Sequence, residues 1–482
     1  MNDNNNLFSS WKGWHSKVSI IYITILLFAI LIYFNVRAVH PIWFIISFSV
    51  VIVYFYILQY CTINWMKYDY RKFEKKLFWH SLFYRVITSI ILITVAELTW
   101  GIPDHVGAVD ALTYHKEALI VADFFRSFDF SGAYRTAISF TGYVDNSGPP
   151  LLLGFVFAFF GKNYFIGTIF LALLGSFSVV LTYRIGALFW NEDVGRTSGL
   201  ILMHFPLALF YSVVIMKEGV VVFLVLLITY LVTKSINGLK LTIFNFLVLV
   251  LSVASLYYFR LAVGVLLTFL VPTAFLINKY RGNPIKSWAI GISSFCAFGF
   301  LIYSIGELDF FLSKISEAWI VGDQREEYIG IQNVNILDLS FREILLSPIY
   351  IIMAIITPFA GIVEVGTRHG TSHDHNYYNI AGILIWNIFT YFSIIGIYHS
   401  IKERFSNGFM VWGFTGGYLF ILTVTVLFTR VRFAYIGMPL LFILAAVGLQ
   451  KSKNNLYWYA YLGIIAIGTI VWNILRLQVR GL

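Results

Sequence analysis

Apolar runs of about 20 residues recur along the sequence from Val18 to Trp472, and this repetition strongly limits the possible folds. A helix needs about 20 apolar residues to cross a hydrocarbon core of about 30 Å. Of the 482 residues, 59% are hydrophobic and 12% are charged, whereas soluble domains carry about 25% charged residues. These proportions exclude a soluble or disordered chain and predict an all-α, polytopic integral membrane protein.

The apolar runs predict about 13 membrane-spanning helices. These spans are 18–36, 41–60, 86–102, 165–188, 197–214, 219–233, 241–257, 262–278, 287–306, 379–398, 409–428, 433–449 and 456–475. Two further runs, 149–161 and 345–365, are predicted to be short re-entrant or interfacial helices. The first is too short to cross comfortably, and two prolines interrupt the second.

The basic loops predict the orientation, because loops rich in Lys and Arg stay on the cytoplasmic side. Segments 61–85, 279–286 and 400–408 are basic, and they share one side only if the two short helices do not cross. The N-terminus is then cytoplasmic, and loops 103–148 and 307–378 are extracytoplasmic. We expect a multi-pass protein of the plasma (inner) membrane. The net charge of +10 is explained by basic cytoplasmic loops, so nucleic acid is not an expected partner.

One integral membrane domain is predicted, because no linker or low-complexity tract divides the chain. The two cysteines exclude a disulfide framework and a cysteine-ligated metal site. The domain consists of an N-terminal helical hairpin with its basic loop (1–85), a core (86–306), the second outer loop (307–378) and C-terminal helices (379–482).

The first outer loop contains a polar group just beyond the third predicted span, comprising Asp104, Asp110, Tyr114 and His115. The segment 110–126 has the pattern of an amphipathic helix lying along the membrane interface. Asp110 and Tyr114 are four residues apart and share a helix face, where a carboxylate can accept a proton from a substrate hydroxyl. Capping of the helix by Asp110 is the alternative interpretation, since Asp is a preferred N-cap.

A second group is placed by the predicted topology at the outer ends of helices: Lys217, Glu218, Arg260, Arg430 and Arg432. Charges at the membrane edge are expensive and therefore indicate function. Arginine binds phosphate through two parallel hydrogen bonds, whereas lysine acts as a point charge. Several cations converging on one side favour an anionic lipid as substrate. For any single side chain, extension towards the lipid headgroups is an equal alternative.

The second outer loop contains His369, His373 and His375 beside Asp374. Imidazole and carboxylate groups are ligands for divalent zinc or manganese, so this loop is a candidate metal site. A solvated polar loop is the alternative, because no helical His-Glu-x-x-His pattern is present. No other cofactor is predicted, and neither a Walker A sequence nor a dinucleotide-binding glycine pattern occurs.

The order of these features resembles the multispanning GT-C glycosyltransferases, which include protein O-mannosyltransferases and the lipid A aminoarabinose transferase. The resemblance covers residues 86–275 and 410–450 and depends on the order and spacing of several short motifs. The main ones are Asp110-x-x-x-Tyr114-His115, Gly148-Pro149-Pro150, Met216-Lys217-Glu218 and Arg430-Val431-Arg432-Phe433.

This resemblance implies a GT-C-like fold and a polyprenyl-phosphate-linked sugar as donor. Transfer to a lipid, glycan or protein acceptor would occur outside the cytoplasm with inversion at the anomeric carbon. In the family, an acidic residue in the first outer loop is the general base, which assigns this role to Asp110. The commonest family pattern has two adjacent acidic residues, whereas Ala111 follows Asp110, so Asp104 is a second candidate. Tyr114, His115 and the cations at the helix ends become candidates for substrate binding.

Three other functions compete with the transferase. A polysaccharide polymerase or O-antigen ligase would depend on Arg368 and His373 of the later loop and tolerate Asp110→Asn. A transporter or flippase of lipid-linked glycans would have charges along a translocation path, although no internal repeat is visible. A scaffold subunit without chemistry is the fourth alternative.

Overall fold

The computed structural model describes residues 11–34, 41–102, 109–142, 144–283, 377–424, 431–452 and 455–478, with five isolated positions between 285 and 293. Every regular element in these ranges is helical, which confirms the predicted all-α class. The helices are α1 (Gly13–Phe34), α2 (Pro41–Trp65), α3 (Tyr70–Trp100), α4 (Val109–Arg126), α5 (Phe130–Thr141), α6 (Gly148–Phe160), α7 (Tyr164–Phe189), α8 (Glu192–His204), α9 (Pro206–Tyr211), α10 (Lys217–Ile236), α11 (Ile243–Phe259), α12 (Leu261–Lys279), α13 (Tyr377–Glu403), α14 (Phe409–Val424), α15 (Val431–Ala434), α16 (Met438–Lys451) and α17 (Asn455–Gln478).

Six helices in the described residues are long and apolar enough to cross a membrane, and the chain is accordingly an α-helical membrane protein. These segments are Ile45–Trp65, Tyr70–Thr99, Tyr164–Phe189, Lys217–Ile236, Leu261–Lys279 and Ile380–Glu403. The finer expectation of about 13 crossings stays a prediction. Helix α6 has 13 residues and is about 20 Å long, which is shorter than the hydrocarbon core.

Helix α3 differs from the prediction of a basic loop over 61–85 followed by a span from residue 86. It begins at Tyr70, where the Asp69 carboxylate accepts a hydrogen bond from the Lys72 backbone N–H at 2.9 Å. Hydropathy marks only the apolar part of a helix, so the charged first turns were assigned to the loop. Arg85, which was counted with that loop, is therefore a helical residue and only 1% exposed.

The predicted span 197–214 is not one continuous helix, because the chain breaks between α8 and α9. Pro206 begins α9, and Phe205 before it has an extended backbone with ψ of 122°. Proline lacks an N–H and excludes the helical conformation from the residue that precedes it. The six-residue helix α9 then leads through a buried turn at 212–216 to Lys217, the first residue of α10.

The predicted helix over 110–126 is confirmed as α4, which packs along α6. A methyl group at Gly154 of α6 would overlap the side chain of Val121, so glycine permits this close contact. At the far end of α4, Arg126 Nη2 donates a hydrogen bond to the Phe157 carbonyl at 3.3 Å. Helices α4 and α6 therefore form one unit that presents the start of α4 to the rest of the bundle.

Helices α13 and α16 approach each other at backbone distance. A methyl group at Gly396 would overlap the carbonyl group of Leu444, and one at Gly448 would overlap that of Phe392. The Ser393 hydroxyl also donates a hydrogen bond to the Leu441 carbonyl at 3.1 Å. Glycine is required at both contacts, because small residues let membrane helices pack this closely.

Candidate functional site

Charged residues from five separate chain segments meet at one end of the bundle. These segments are the start of α4, the turn before α6, the start of α10, the junction of α11 and α12, and α15. We call the resulting group the charged cluster, and it consists of Asp110, Asp145, Lys217, Glu218, Arg260 and Arg432.

The link between Asp110 and Arg432 joins positions 322 residues apart in the sequence. Arg432 Nη1 donates a hydrogen bond to Asp110 Oδ2 at 2.7 Å, and the two side chains are 31% and 43% exposed. Asp110 is the second residue of α4, where the helix dipole also favours a carboxylate. Its side chain thus makes a tertiary contact with an arginine, which helix capping alone does not explain.

Arg260 is the single residue between α11 and α12, and its guanidinium group faces Glu218. Arg260 Nη1 lies 3.6 Å from Glu218 Oε1, beyond hydrogen-bond distance, and this buried nitrogen has no acceptor among the described residues. The Glu218 side chain is only 2% exposed. The guanidinium carbons of Arg260 and Arg432 lie 4.2 and 4.8 Å from the centre of the Phe433 ring. One aromatic ring therefore supports both arginines.

The turn before α6 supplies further polar contacts to the charged cluster. Asn146 has a φ of 75°, a left-handed conformation that asparagine tolerates better than most residues. Its side-chain oxygen accepts a hydrogen bond from Lys217 Nζ. The neighbouring Asp145 Oδ1 accepts a hydrogen bond from the Leu261 backbone N–H at 3.3 Å. This turn thus ties the starts of α10 and α12 together.

Tyr114 lies one helical turn after Asp110 and is buried beside the charged cluster. Burial raises the pKa of its hydroxyl, and the charges of Asp110 and Glu218 act in the same direction. Burial lowers the pKa of the Arg432 guanidinium, but the negative charges of Glu218 and Asp110 outweigh this effect, so the pKa is raised overall. The predicted face containing Asp110 and Tyr114 is therefore directed towards the arginines.

Aromatic side chains hold α15 in place behind the charged cluster. The Tyr418 hydroxyl donates a hydrogen bond to the Phe433 carbonyl at 2.8 Å. Tyr211 at the end of α9 stacks on Tyr435, with ring centres 5.2 Å apart. No motif in the sequence indicates a role for these rings, for Asp145 or for Asn146. The only sequence signal was the turn-forming run Asp145-Asn146-Ser147-Gly148.

The remaining predicted site residues fall elsewhere. His115 on α4 contacts the rings of Phe157 and Tyr164, with centre distances of 5.7 and 5.1 Å. Among the residues described here, no group of three or more His, Cys, Asp or Glu side chains forms a candidate metal site. The predictions that lie outside the described residues are those for Asp104, Arg430, His369, His373 and His375.

The chemistry of the charged cluster follows from its charge balance. The charges of the three cationic and three anionic side chains sum formally to zero. The cations nevertheless differ in how many of their hydrogen-bond donors have an acceptor. Arg432 and Lys217 donate to acceptors within the protein, whereas Arg260 Nη1 has none in the part of the chain described. A partly buried guanidinium with a free donor is suited to bind an anion such as phosphate.

Comparison with known proteins assigns no family to this chain. No protein-family model matches the sequence, and no curated protein matches it. The resemblance to the GT-C enzymes therefore depends on the sequence motifs alone.

Proposed function

We propose that the protein is a membrane glycosyltransferase that moves a sugar from a polyprenyl-phosphate donor to a lipid, glycan or protein acceptor. The main supporting observation is the 2.7 Å contact between Asp110, the expected base, and Arg432, an expected phosphate ligand. Arg260 and Lys217 in the same cluster provide the additional positive charge that a lipid phosphate requires, and Glu218 faces Arg260. The proposed fold is GT-C-like, and the proposed location is the extracytoplasmic side of a plasma membrane.

In the proposed reaction, an acceptor hydroxyl attacks the anomeric carbon of the donor sugar. The bond between that carbon and the phosphate oxygen breaks, and its electron pair leaves with the lipid phosphate. Asp110 removes the proton of the attacking hydroxyl, and Arg260 and Arg432 stabilise the charge that develops on phosphate. The phosphate is a good leaving group, so no general acid is needed.

The Asp110–Arg432 contact also implies an order of events. While Arg432 donates to Asp110, one carboxylate oxygen and one arginine donor are occupied by each other. Arg260 Nη1 is buried and has no acceptor among the described residues, and the Arg260 side chain is 15% exposed, so this guanidinium can turn to the donor phosphate without giving up a hydrogen bond of Nη1. Once phosphate takes over Arg432, Asp110 is released to accept a proton. Donor binding would thus precede activation of the acceptor.

The test is sugar transfer by purified protein in lipid nanodiscs, supplied with a panel of polyprenyl-phosphate sugars. Release of free polyprenyl phosphate is measured for the native protein and for Asp110→Asn. Loss of a general base slows a reaction by about 10²–10⁴-fold, so we expect Asp110→Asn to lower release by at least 100-fold. Asp123→Asn is the matched control, because Asp123 is exposed on the same helix and pairs with Lys162.

Equal release by the native protein and Asp110→Asn would remove Asp110 from the mechanism and favour the polymerase or ligase alternative. Release from no donor would contradict the transferase proposal. Movement of a labelled lipid-linked sugar across the bilayer without release would instead support a flippase.

A further inference from the structure

Arg85 lies in the middle of helix α3, within a segment long enough to cross the membrane, and it is 1% exposed. Its Nε donates a hydrogen bond to Ser212 Oγ at 2.8 Å, and its Nη1 donates to the Ser81 carbonyl at 3.3 Å. Within the described part of the chain, no carboxylate lies within ion-pair distance of Arg85. A buried charge with only neutral partners is costly, and such a residue in a membrane helix indicates function.

The contact with Ser212 links Arg85 to the start of α10. Ser212 follows α9 directly and precedes Lys217 by five residues, through a turn that is buried throughout. A methyl group at Gly175 of α7 would overlap both Ser212 and the Arg85 side chain, so this position leaves space for the pair. Arg85 therefore contacts the segment that sets the position of Lys217 and Glu218 at the start of α10.

A second link leads from the same place to Arg432. Tyr211, the neighbour of Ser212, stacks on Tyr435, which lies three residues after Arg432. The Tyr435 side chain is itself buried, with 2% of its surface exposed. Arg85 is thus adjacent to both segments that supply cations to the charged cluster.

We infer that Arg85 is a positioning residue that holds the Lys217–Glu218 and Arg432 segments in the geometry that binds a lipid phosphate. This inference depends on the proposed function for its ligand, although its structural part does not. The Arg85 charge fixes the Ser212 hydroxyl, Ser212 and Tyr211 fix the turn before α10, and Tyr211 supports Tyr435. A positioning role explains why a desolvated arginine is retained where an apolar residue would pack at lower cost.

The test replaces Arg85 with methionine, which has similar volume and no charge. We expect Arg85→Met to unfold at the native temperature or above it, because the cost of burying the charge disappears. Its dissociation constant for polyprenyl phosphate in nanodiscs should rise by about 10-fold, since one or two donors become misplaced. Amide hydrogen exchange should accelerate in segments 212–220 and 431–437 but stay unchanged in the rest of α3 and α7.

Two comparisons make the result decisive. Arg85→Lys should restore part of the affinity, and Ser89→Ala, one turn along the same buried face of α3, should leave affinity and exchange unchanged. Native affinity and native exchange in Arg85→Met would overturn the inference. If Arg85→Met unfolds early, Ser212→Ala decides, and native exchange at 431–437 in that variant would also overturn it. Absence of lipid-phosphate binding by the native protein would contradict the proposed function, while the exchange measurement would still judge the role of Arg85.

Discussion

The two ends of the helical bundle use the same charged residue types in different ways. At the end opposite the charged cluster, Arg184 donates two hydrogen bonds to the Glu74 carboxylate, at 2.9 and 2.6 Å. Arg196 is 5% exposed and binds Glu192 at 2.8 Å, and it also donates to two backbone carbonyls of the segment between α2 and α3. The acceptors of Arg184 belong to a neighbouring helix, and those of Arg196 belong to its own helix and to the segment between α2 and α3, so these donors are matched within the protein, as structural ion pairs require.

At the charged cluster, the contacts are less complete. Arg260 Nη1 is 3.6 Å from Glu218 and has no hydrogen-bond acceptor in the described residues, while Arg432 is held by a carboxylate that is itself 43% exposed. Matched arginines join helices, whereas a buried arginine with an unused donor retains capacity for a ligand. The contrast between Arg184 and Arg260 therefore supports the proposal that the charged cluster binds a ligand, without reference to any family.

The largest expected effect tests this contrast directly with one substitution at each end. Arg260→Met should raise the dissociation constant for polyprenyl phosphate by about 10–100-fold, because a charge-assisted hydrogen bond is lost. Arg184→Met should leave that constant unchanged and lower the unfolding temperature. Binding is measured by titration in nanodiscs, and unfolding by intrinsic tryptophan fluorescence. Equal losses of affinity in both variants would remove the distinction between the two ends.

A smaller and opposite effect is expected for Asp110→Asn in the same binding assay. Asp110 competes with phosphate for Arg432, so its neutralisation should tighten binding of polyprenyl phosphate by about 3–10-fold even though transfer is lost. Asp123→Asn should bind like the native protein, because its partner Lys162 lies outside the charged cluster. Weaker binding by Asp110→Asn would show that the carboxylate contributes to the phosphate site instead of competing with it.

The smallest effect concerns Glu117, one turn beyond Tyr114 on α4. Burial raises the pKa of its carboxyl group above 4.5, and Oε2 is buried without an acceptor or donor partner in the described residues. The folded state therefore binds this proton more tightly than the unfolded state, and stability should fall as pH rises above about 4.5. Glu117→Gln should raise the unfolding temperature slightly at pH 7 and flatten this dependence. Glu74→Gln should lower the unfolding temperature, since Glu74 binds Arg184; stabilisation there would contradict the comparison.

Much of the helical architecture was predictable from hydropathy, because apolar periodicity and length are local properties. The helix over 110–126 and the short helix after Gly148 both follow from such signals. The extent of α3 was not predictable in this way, since its first turns combine charges with helix-forming residues. The hydropathy of 197–214 does not reveal the break before Pro206, and the consequence of this break for Lys217 depends on the position of α9.

The site was predictable as a set of residues but not as a set of contacts. The positive-inside rule placed Asp110, Lys217, Arg260 and Arg432 on one side of the membrane, and the structure brings all four to one end. No sequence rule pairs Asp110 with Arg432 in preference to Arg260, because that choice depends on packing among distant helices. The buried position of Arg85 was not predictable from the sequence, because Arg85 follows a run of basic residues that is typical of a cytoplasmic loop.

The close approach of α13 and α16 limits how the arginine side of the charged cluster can move. Backbone contacts at Gly396 and Gly448 leave no space for one helix to slide past the other, so this pair forms a rigid unit. Arg432 and Phe433 lie just before α16 and share its limited freedom, whereas Asp110 belongs to the separate α4–α6 unit. On the proposed function, the isoprenoid chain of the donor would therefore be accommodated on the Asp110 side of the charged cluster, with the arginine side remaining stationary.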